Sequence, residues 1–252
     1  MWSDAISADF YDLSNRQLTM LDKLRFGKEK SYEIKIKIPK HIAITLGGID
    51  EKRKSENSYE NGLLKILDAI KHQLKLNIPI TTFYLLDDRN RDEDYLEEIA
   101  KFIRGLAAES IIREKIKISV LGKWYNLPHK VVEPIKELIA ATKDNDGFYA
   151  NLCINYNGQD EIVDACRLIA RKVKTEKIGP ETIDKDMIKS NTYSSYFIPP
   201  EIIIVNGRKK LKTGLLLWDS LNSAIYFSNK PWLDFDKSEL MDAINSYQKS
   251  AR

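Results

Sequence analysis

Three histidines and two cysteines are the residues of this chain best suited to metal or nucleophilic chemistry, and their spacing supports neither. His41, His72 and His129 are scattered, without metal-ligand spacing, and each is expected to be structural. Cys153 and Cys166 cannot complete a zinc site or a disulfide framework by themselves. Cys153 lies in the strand-like run Asn151–Asn155, and Cys166 recurs at helical spacing with Ile162, Ile169 and Val173. Both are read as small buried hydrophobes of a reduced, cytoplasmic protein. No P-loop, dinucleotide glycine pattern, HExxH or GxSxG motif is present.

The elements that must position any site follow from periodicity. Six short apolar runs bounded by Gly, Pro, Asn or Asp predict strands at His41–Leu46, Ile80–Leu86, Ile116–Leu121, Tyr149–Asn155, Ile202–Val205 and Ala224–Phe227. Helical stripes run from Leu63 to Leu74, from Tyr95 to Leu106 after an Asp92 cap, from Val131 to Ile139, and from Ile162 to Val173. Alternating strands and helices predict an α/β fold, a mostly parallel six-stranded sheet flanked by helices. Ligands of such sheets sit outside the carboxyl ends of the strands, so the loops after Leu46, Leu86, Asn155 and Val205 are where function is sought.

The 252 residues are 43% apolar and 31% charged, an ordinary globular composition. Forty basic against 37 acidic residues leave a net charge of +3, too small to argue for nucleic acid. No run approaches the roughly 20 apolar residues of a membrane span. Residues 1–38 are expected to form a helical, basic extension and residues 39–252 the domain proper. The basic patch at residues 23–40 suits a solvated linker better than a contact with anionic lipid.

Three segments resemble the cis-prenyltransferase family, the undecaprenyl and dehydrodolichyl diphosphate synthases. His41-Ile42-Ala43-Ile44-Thr45-Leu46-Gly47-Gly48 is similar to H-(V/I)-A-(I/F)-I-M-D-G. Asn155-Tyr156-Asn157-Gly158-Gln159-Asp160-Glu161-Ile162 is similar to N-Y-G-G-R-x-(D/E)-I. Leu215–Trp218, Ile225–Phe227 and Trp232–Phe235 resemble F-L-L-W, (E/L)-Y-F and W-P-D-F. The resemblance implies chain elongation, in which an allylic diphosphate loses pyrophosphate and isopentenyl diphosphate attacks. It also implies a strand-end Asp and a Glu before the last strand to manage Mg²⁺, arginines to clamp the diphosphates, and an assisting Asn and His.

Position by position, that machinery is replaced. The strand-end Asp is Gly47, the Asn is Ile49, and the following Arg is Glu51. The turn His falls at Tyr59, and of the S-x-E-N-W stretch only Asn90 survives. Gln159, Val205 and Leu211 stand for arginines, Thr213 for a Ser and Ala224 for the metal-handling Glu. Asn90, Arg208, Lys210, Lys212 and Thr213 are the groups left to meet a phosphate. Asp87 and Asp88 add negative charge where the family binds anions.

The resemblance therefore implies a non-catalytic subunit, without catalytic or metal-binding residues of its own, that stabilises a catalytic cis-prenyltransferase in a heterodimer or higher heteromer making long-chain polyprenyl diphosphate. Mg²⁺ is expected on the catalytic partner. Leu215, Trp218, Ile225, Tyr226 and Phe227 are expected at the interface, with a homodimer when the chain is alone. The chain ends just short of the R-x-G tail that some partner subunits lend, so that motif is not expected to be donated. Two other readings stay open: a polyprenyl-binding protein, and an active enzyme with reassigned site residues. The expected location is cytoplasmic, peripheral to the membrane.

Overall fold

A computed structural model describes residues 37–47, 58–89, 92–207 and 214–250. The expected N-terminal extension lies outside the described residues except for Lys37 and Ile38. In chain order the elements are β1 (His41–Thr45), α1 (Ser58–Lys75), β2 (Ile80–Asp87), α2 (Glu93–Ala108), α3 (Ser110–Lys115), β3 (Ile116–Leu121) and α4 (His129–Thr142). They continue with β4 (Phe148–Tyr156), α5 (Gly158–Lys174), α6 (Lys185–Lys189), β5 (Ile202–Val205), β6 (Ala224–Phe227) and α7 (Lys237–Ser250). All six expected strands form one sheet in the order β3-β4-β2-β1-β5-β6, and every pairing is parallel.

Successive strand residues point to opposite faces, and each face has its own core. Ile42, Ile44, Phe83, Leu152, Ile154, Ile202 and Ile204 pack with Leu63, Ile66 and Ile70 of α1, Ile99 and Ile103 of α2, Leu138 of α4 and Ile244 of α7. The opposite face carries Ala43, Ile80, Cys153, Tyr156, Ile203 and Val205 beneath Phe197, Leu215 and Leu216. Trp232 is wholly buried in the first core, its indole N–H donating to the Gly62 carbonyl at 2.6 Å and its ring stacked on Phe235.

The expected Asp92 cap is formed: its side chain accepts from the Tyr95 N–H at the start of α2. The stripe expected on α5 is rotated. Glu161, Ala165 and Ile169 are buried there, while Val163, Leu168 and Cys166 are exposed. Cys153 is buried as expected, but Cys166 is not a core residue, because the buried line of α5 runs along Gly158, Glu161, Ala165 and Ile169. Among the described residues no helix is long and apolar enough to cross a membrane.

Candidate functional site

The chain leaves β1 for β2 on one side and returns to β5 on the other. The sheet order therefore reverses between β1 and β5, and the crevice at their carboxyl ends is the place where a parallel sheet holds a ligand. Gly47 and Asn206 meet there. A Cβ on Gly47 would stand 3.0 Å from the Asn206 carbonyl carbon and closer still to its oxygen. The approach is fixed from several sides. The Asn206 amide group donates to the Thr45 carbonyl at 2.7 Å, the Asn206 N–H donates to the Thr45 hydroxyl at 3.1 Å, and the Gly47 carbonyl accepts from the Trp232 N–H at 3.0 Å. The Gly207 N–H is taken by the Lys230 carbonyl at 3.0 Å. Backbone and an amide thus occupy the space beside Gly47, and no carboxylate enters the crevice from position 47.

Three cations flank the same end of the sheet, each with a carboxylate of its own. Arg89 grips Asp87 with two nitrogens, at 2.8 and 3.0 Å, which holds the Asp87 carboxyl far below the ordinary range. Lys123 meets Asp160 at 2.8 Å and Asp164 at 3.2 Å, and the Asp160 contact raises its pKa. Lys230 meets Glu239 at 3.2 Å, which raises the lysine pKa. Asp88 accepts from the Asn157 side chain at 3.1 Å, so the acidic pair after β2 is bound into the fold.

Tyr59 packs on Tyr95, ring centroids 4.6 Å apart, and its hydroxyl donates to Asp92 at 3.5 Å. It braces the start of α2. Gln159 is exposed in the first turn of α5, where its backbone N–H caps on Asn157. Val205 lies in the second core. Ala224 opens β6 opposite Ile202, which pairs with Ile42. Thr45 ends β1 three residues beyond Ile42, about 10 Å along the strand at ~3.3 Å per residue, and Gly47 follows in the turn beyond it. Within one chain, positions 47 and 224 lie too far apart to share a cation bound at about 2 Å, and neither offers an oxygen ligand from its side chain. The residues present at these two positions do not fit Mg²⁺. Among the described residues no three His, Cys, Asp or Glu side chains cluster to hold a metal. Ile49, Glu51, Asn90, Arg208, Lys210, Leu211, Lys212 and Thr213 lie outside the described residues.

The expected interface positions divide. Leu215 is 1% exposed, a core residue beneath which Ile203 and Val205 pack, so it is not available to a partner. Tyr226 is half-buried against the first core and donates to Glu239 at 3.2 Å. Trp218 is half-buried, while Ile225 and Phe227 are exposed. Ile225 and Phe227 pair in register with Ile203 and Val205 and share their face of the sheet. That face is fully covered over β5 and only partly covered over β6, where Ile225 and Phe227 are 37% and 38% exposed. Leu217 and Leu221 are exposed beside it in sequence, Leu221 at 87%. Sequence reasoning passed over Leu221, although a lone Leu in the polar run Asp219-Ser220-Leu221-Asn222-Ser223 is a usable signal.

A shallow groove of about 170 Å³ opens between α1 and α2, lined by Leu63, Leu64, Leu67, Phe102 and Leu106 with Glu60 and Glu98 at its rim.

The family model described as "Putative undecaprenyl diphosphate synthase" matches residues 49–252, most of the chain. The chain belongs to the cis-prenyltransferase family. The cis-prenyltransferase relatives include the tritrans,polycis-undecaprenyl-diphosphate synthase (geranylgeranyl-diphosphate specific) of Thermoplasma volcanium, 30% identical over 85% of this chain and 88% of that protein. The isoprenyl transferase of Prochlorococcus marinus is 31% identical over 86% of this chain and 84% of its own length. The crystal structure of lavandulyl diphosphate synthase from Lavandula x intermedia, in complex with dimethylallyl diphosphate, superposes with a TM-score of 0.77 over 83% of this chain and 95% of that one. At 23% identity it carries the cis-prenyltransferase fold alone.

Proposed function

We propose that this chain is the non-catalytic subunit of a heteromeric cis-prenyltransferase, stabilising a catalytic partner that makes long-chain polyprenyl diphosphate from isopentenyl diphosphate and an allylic diphosphate. The relatives carry the names of synthases, so the departure rests on this chain's own residues. One observation carries it: at the crevice between β1 and β5, position 47 is a glycine against which the Asn206 carbonyl is packed, leaving no room for an acidic side chain. The pairing of Arg89, Lys123 and Lys230 with carboxylates supports the same reading, since each neighbouring negative charge opposes a diphosphate. Mg²⁺ then belongs to the catalytic partner.

The partner surface in this reading is the partly covered face of β6, with Ile225 and Phe227 at its centre and Leu217 and Leu221 beside them. Strands of parallel sheets are normally covered on both faces, and a second polypeptide would complete the layer here. The isoprenoid-binding alternative draws on the groove between α1 and α2. At about 170 Å³ it is smaller than the ~300–1,000 Å³ of ordinary small-molecule sites.

The test is an elongation assay with farnesyl or geranylgeranyl diphosphate, isopentenyl diphosphate and Mg²⁺. The chain alone is expected to make no product, and adding an intact homologue from the same organism is expected to give activity above that of the homologue by itself. Turnover by this chain alone would overturn the proposal.

A further inference from the structure

The segment that carries Leu217 also contains a non-glycine residue in the left-handed region, Leu216 at φ 47°. A bulky residue in that conformation must be held there, and the holding groups are buried. The Leu216 N–H donates to the Tyr156 hydroxyl at 3.1 Å, and that hydroxyl donates to Glu161 Oε2 at 2.5 Å. The other oxygen of Glu161 accepts from the Ser194 N–H at 3.0 Å. The Ser194 hydroxyl donates to Asp219 Oδ2 at 2.7 Å, and Lys189 Nζ donates to the same oxygen at 2.6 Å. Lys189 also donates to the Ser194 carbonyl at 2.9 Å.

The chain of contacts starts at Leu216 and ends at Asp219, so the same buried network grips both ends of one turn. Between the two grips stand Leu217 and Trp218, and just beyond them Leu221. Glu161 and Asp219 are almost fully buried; the Lys189 ammonium pairs with Asp219, while Glu161 is held by the Tyr156 hydroxyl and the Ser194 N–H. A hydrophobic contact among Leu215, Leu216 and the sheet would leave the turn free to rotate about them. A directional network fixes which residues it presents.

We propose that Tyr156, Glu161, Ser194, Asp219 and Lys189 form a clamp that sets the 216–221 turn in the conformation a catalytic cis-prenyltransferase subunit docks against. This rests on the heteromeric reading above, and its members are positioning residues. Tyr156→Phe cuts the link between Glu161 and Leu216 without adding charge. The double variant Lys189→Met with Asp219→Asn removes both charges at the far grip together, which avoids stranding either one. Lys189→Arg keeps the cation.

The experiment uses the full chain and two readouts. Peptide-level hydrogen exchange follows residues 214–222, with peptides of α2 and α4 as internal references. Calorimetric titration follows binding to a catalytic homologue from the same genome. Tyr156→Phe and the double variant are expected to lose tenfold or more of the protection in 214–222, leave α2 and α4 unchanged, and bind the homologue at least tenfold more weakly. Lys189→Arg is expected to keep both at their wild-type values. If protection falls while affinity stays at the wild-type value, or if protection does not fall, the clamp is overturned and the heteromeric reading stands. If the wild-type chain fails to bind the homologue, the heteromeric reading falls and the docking role goes with it.

Discussion

The Asn206 carbonyl occupies the space that a side chain at Gly47 would need. The carboxyl ends of β1 and β5 are tied together, through Thr45 on one and Asn206 after the other. The exclusion of a side chain at position 47 is thus built into the backbone.

Gly47→Asp should accordingly cost stability and gain no chemistry. The new Cβ meets backbone, which cannot swing aside, so the strain is expected at the level of core overpacking, about 1–3 kcal/mol. That corresponds to a fall in Tm of ~2–4 °C per kcal/mol for a domain of this size. Thermal unfolding reads the cost, and the elongation assay reads the chemistry. Substantial turnover from this one change would show that the crevice opens more readily than its hydrogen bonds imply.

Charges on β6 should separate interface from core. Phe227→Asp lies on the more exposed face and is expected to weaken partner binding at least tenfold, about 1.4 kcal/mol, with a smaller fall in Tm than Tyr226→Asp. Tyr226→Asp strips the bond to Glu239 and sets a carboxylate beside it, so it should lower the Tm of the chain by itself. Calorimetric binding and thermal unfolding on both variants distinguish the two faces of one strand.

His41 should impose an acid limit on stability. Its Nδ1–H donates to the Ile198 carbonyl at 2.6 Å, and its Nε2 accepts from the Thr82 hydroxyl at 2.8 Å. Burial holds its pKa down to about 4 from 6.5. Between those values the unfolded chain takes up a proton that the folded chain refuses. The stability is complete above pH 6.5, falls as pH drops through the window, and levels off below 4. A fall from 6.5 to about 4 amounts to about 3 kcal/mol. Urea unfolding from pH 7 to 4.5 should show this loss in the wild type, and the difference from His41→Gln isolates it.

Gly105 offers a gain. It lies inside α2, and a Cβ there meets nothing within 4 Å. Gly105→Ala should stabilise the chain by about 0.4–1 kcal/mol by restricting the unfolded state, seen as a higher urea midpoint at unchanged slope. It lines the small groove between α1 and α2, and partner stimulation should be unaffected.

Sequence alone determined the local grammar. Ile-rich runs closed by Gly, Pro or Asn specify the six strands, because β-branched residues between breakers suit little else. Asp92 before an apolar stripe specifies the start of α2, since its carboxylate satisfies an N–H that the helix leaves open. That Gly47, Val205 and Ala224 carry no charged side chain is legible for the same reason: it is a matter of residue type at a position. What required the tertiary structure was everything set by distant segments meeting. The exposure of Cys166 and the burial of Leu215 depend on which neighbour covers each face. α7 escaped the sequence reading because its buried residues, Leu240, Ala243 and Ile244, are few and set among polar ones. The clamp joins Tyr156 to Asp219 across 63 positions of sequence (219 − 156), and Gly47 meets Asn206 across 159 (206 − 47). Periodicity reports which side of an element is apolar. It carries no information about which other segment arrives there, and hydrogen bonds between buried polar groups form only after that arrival.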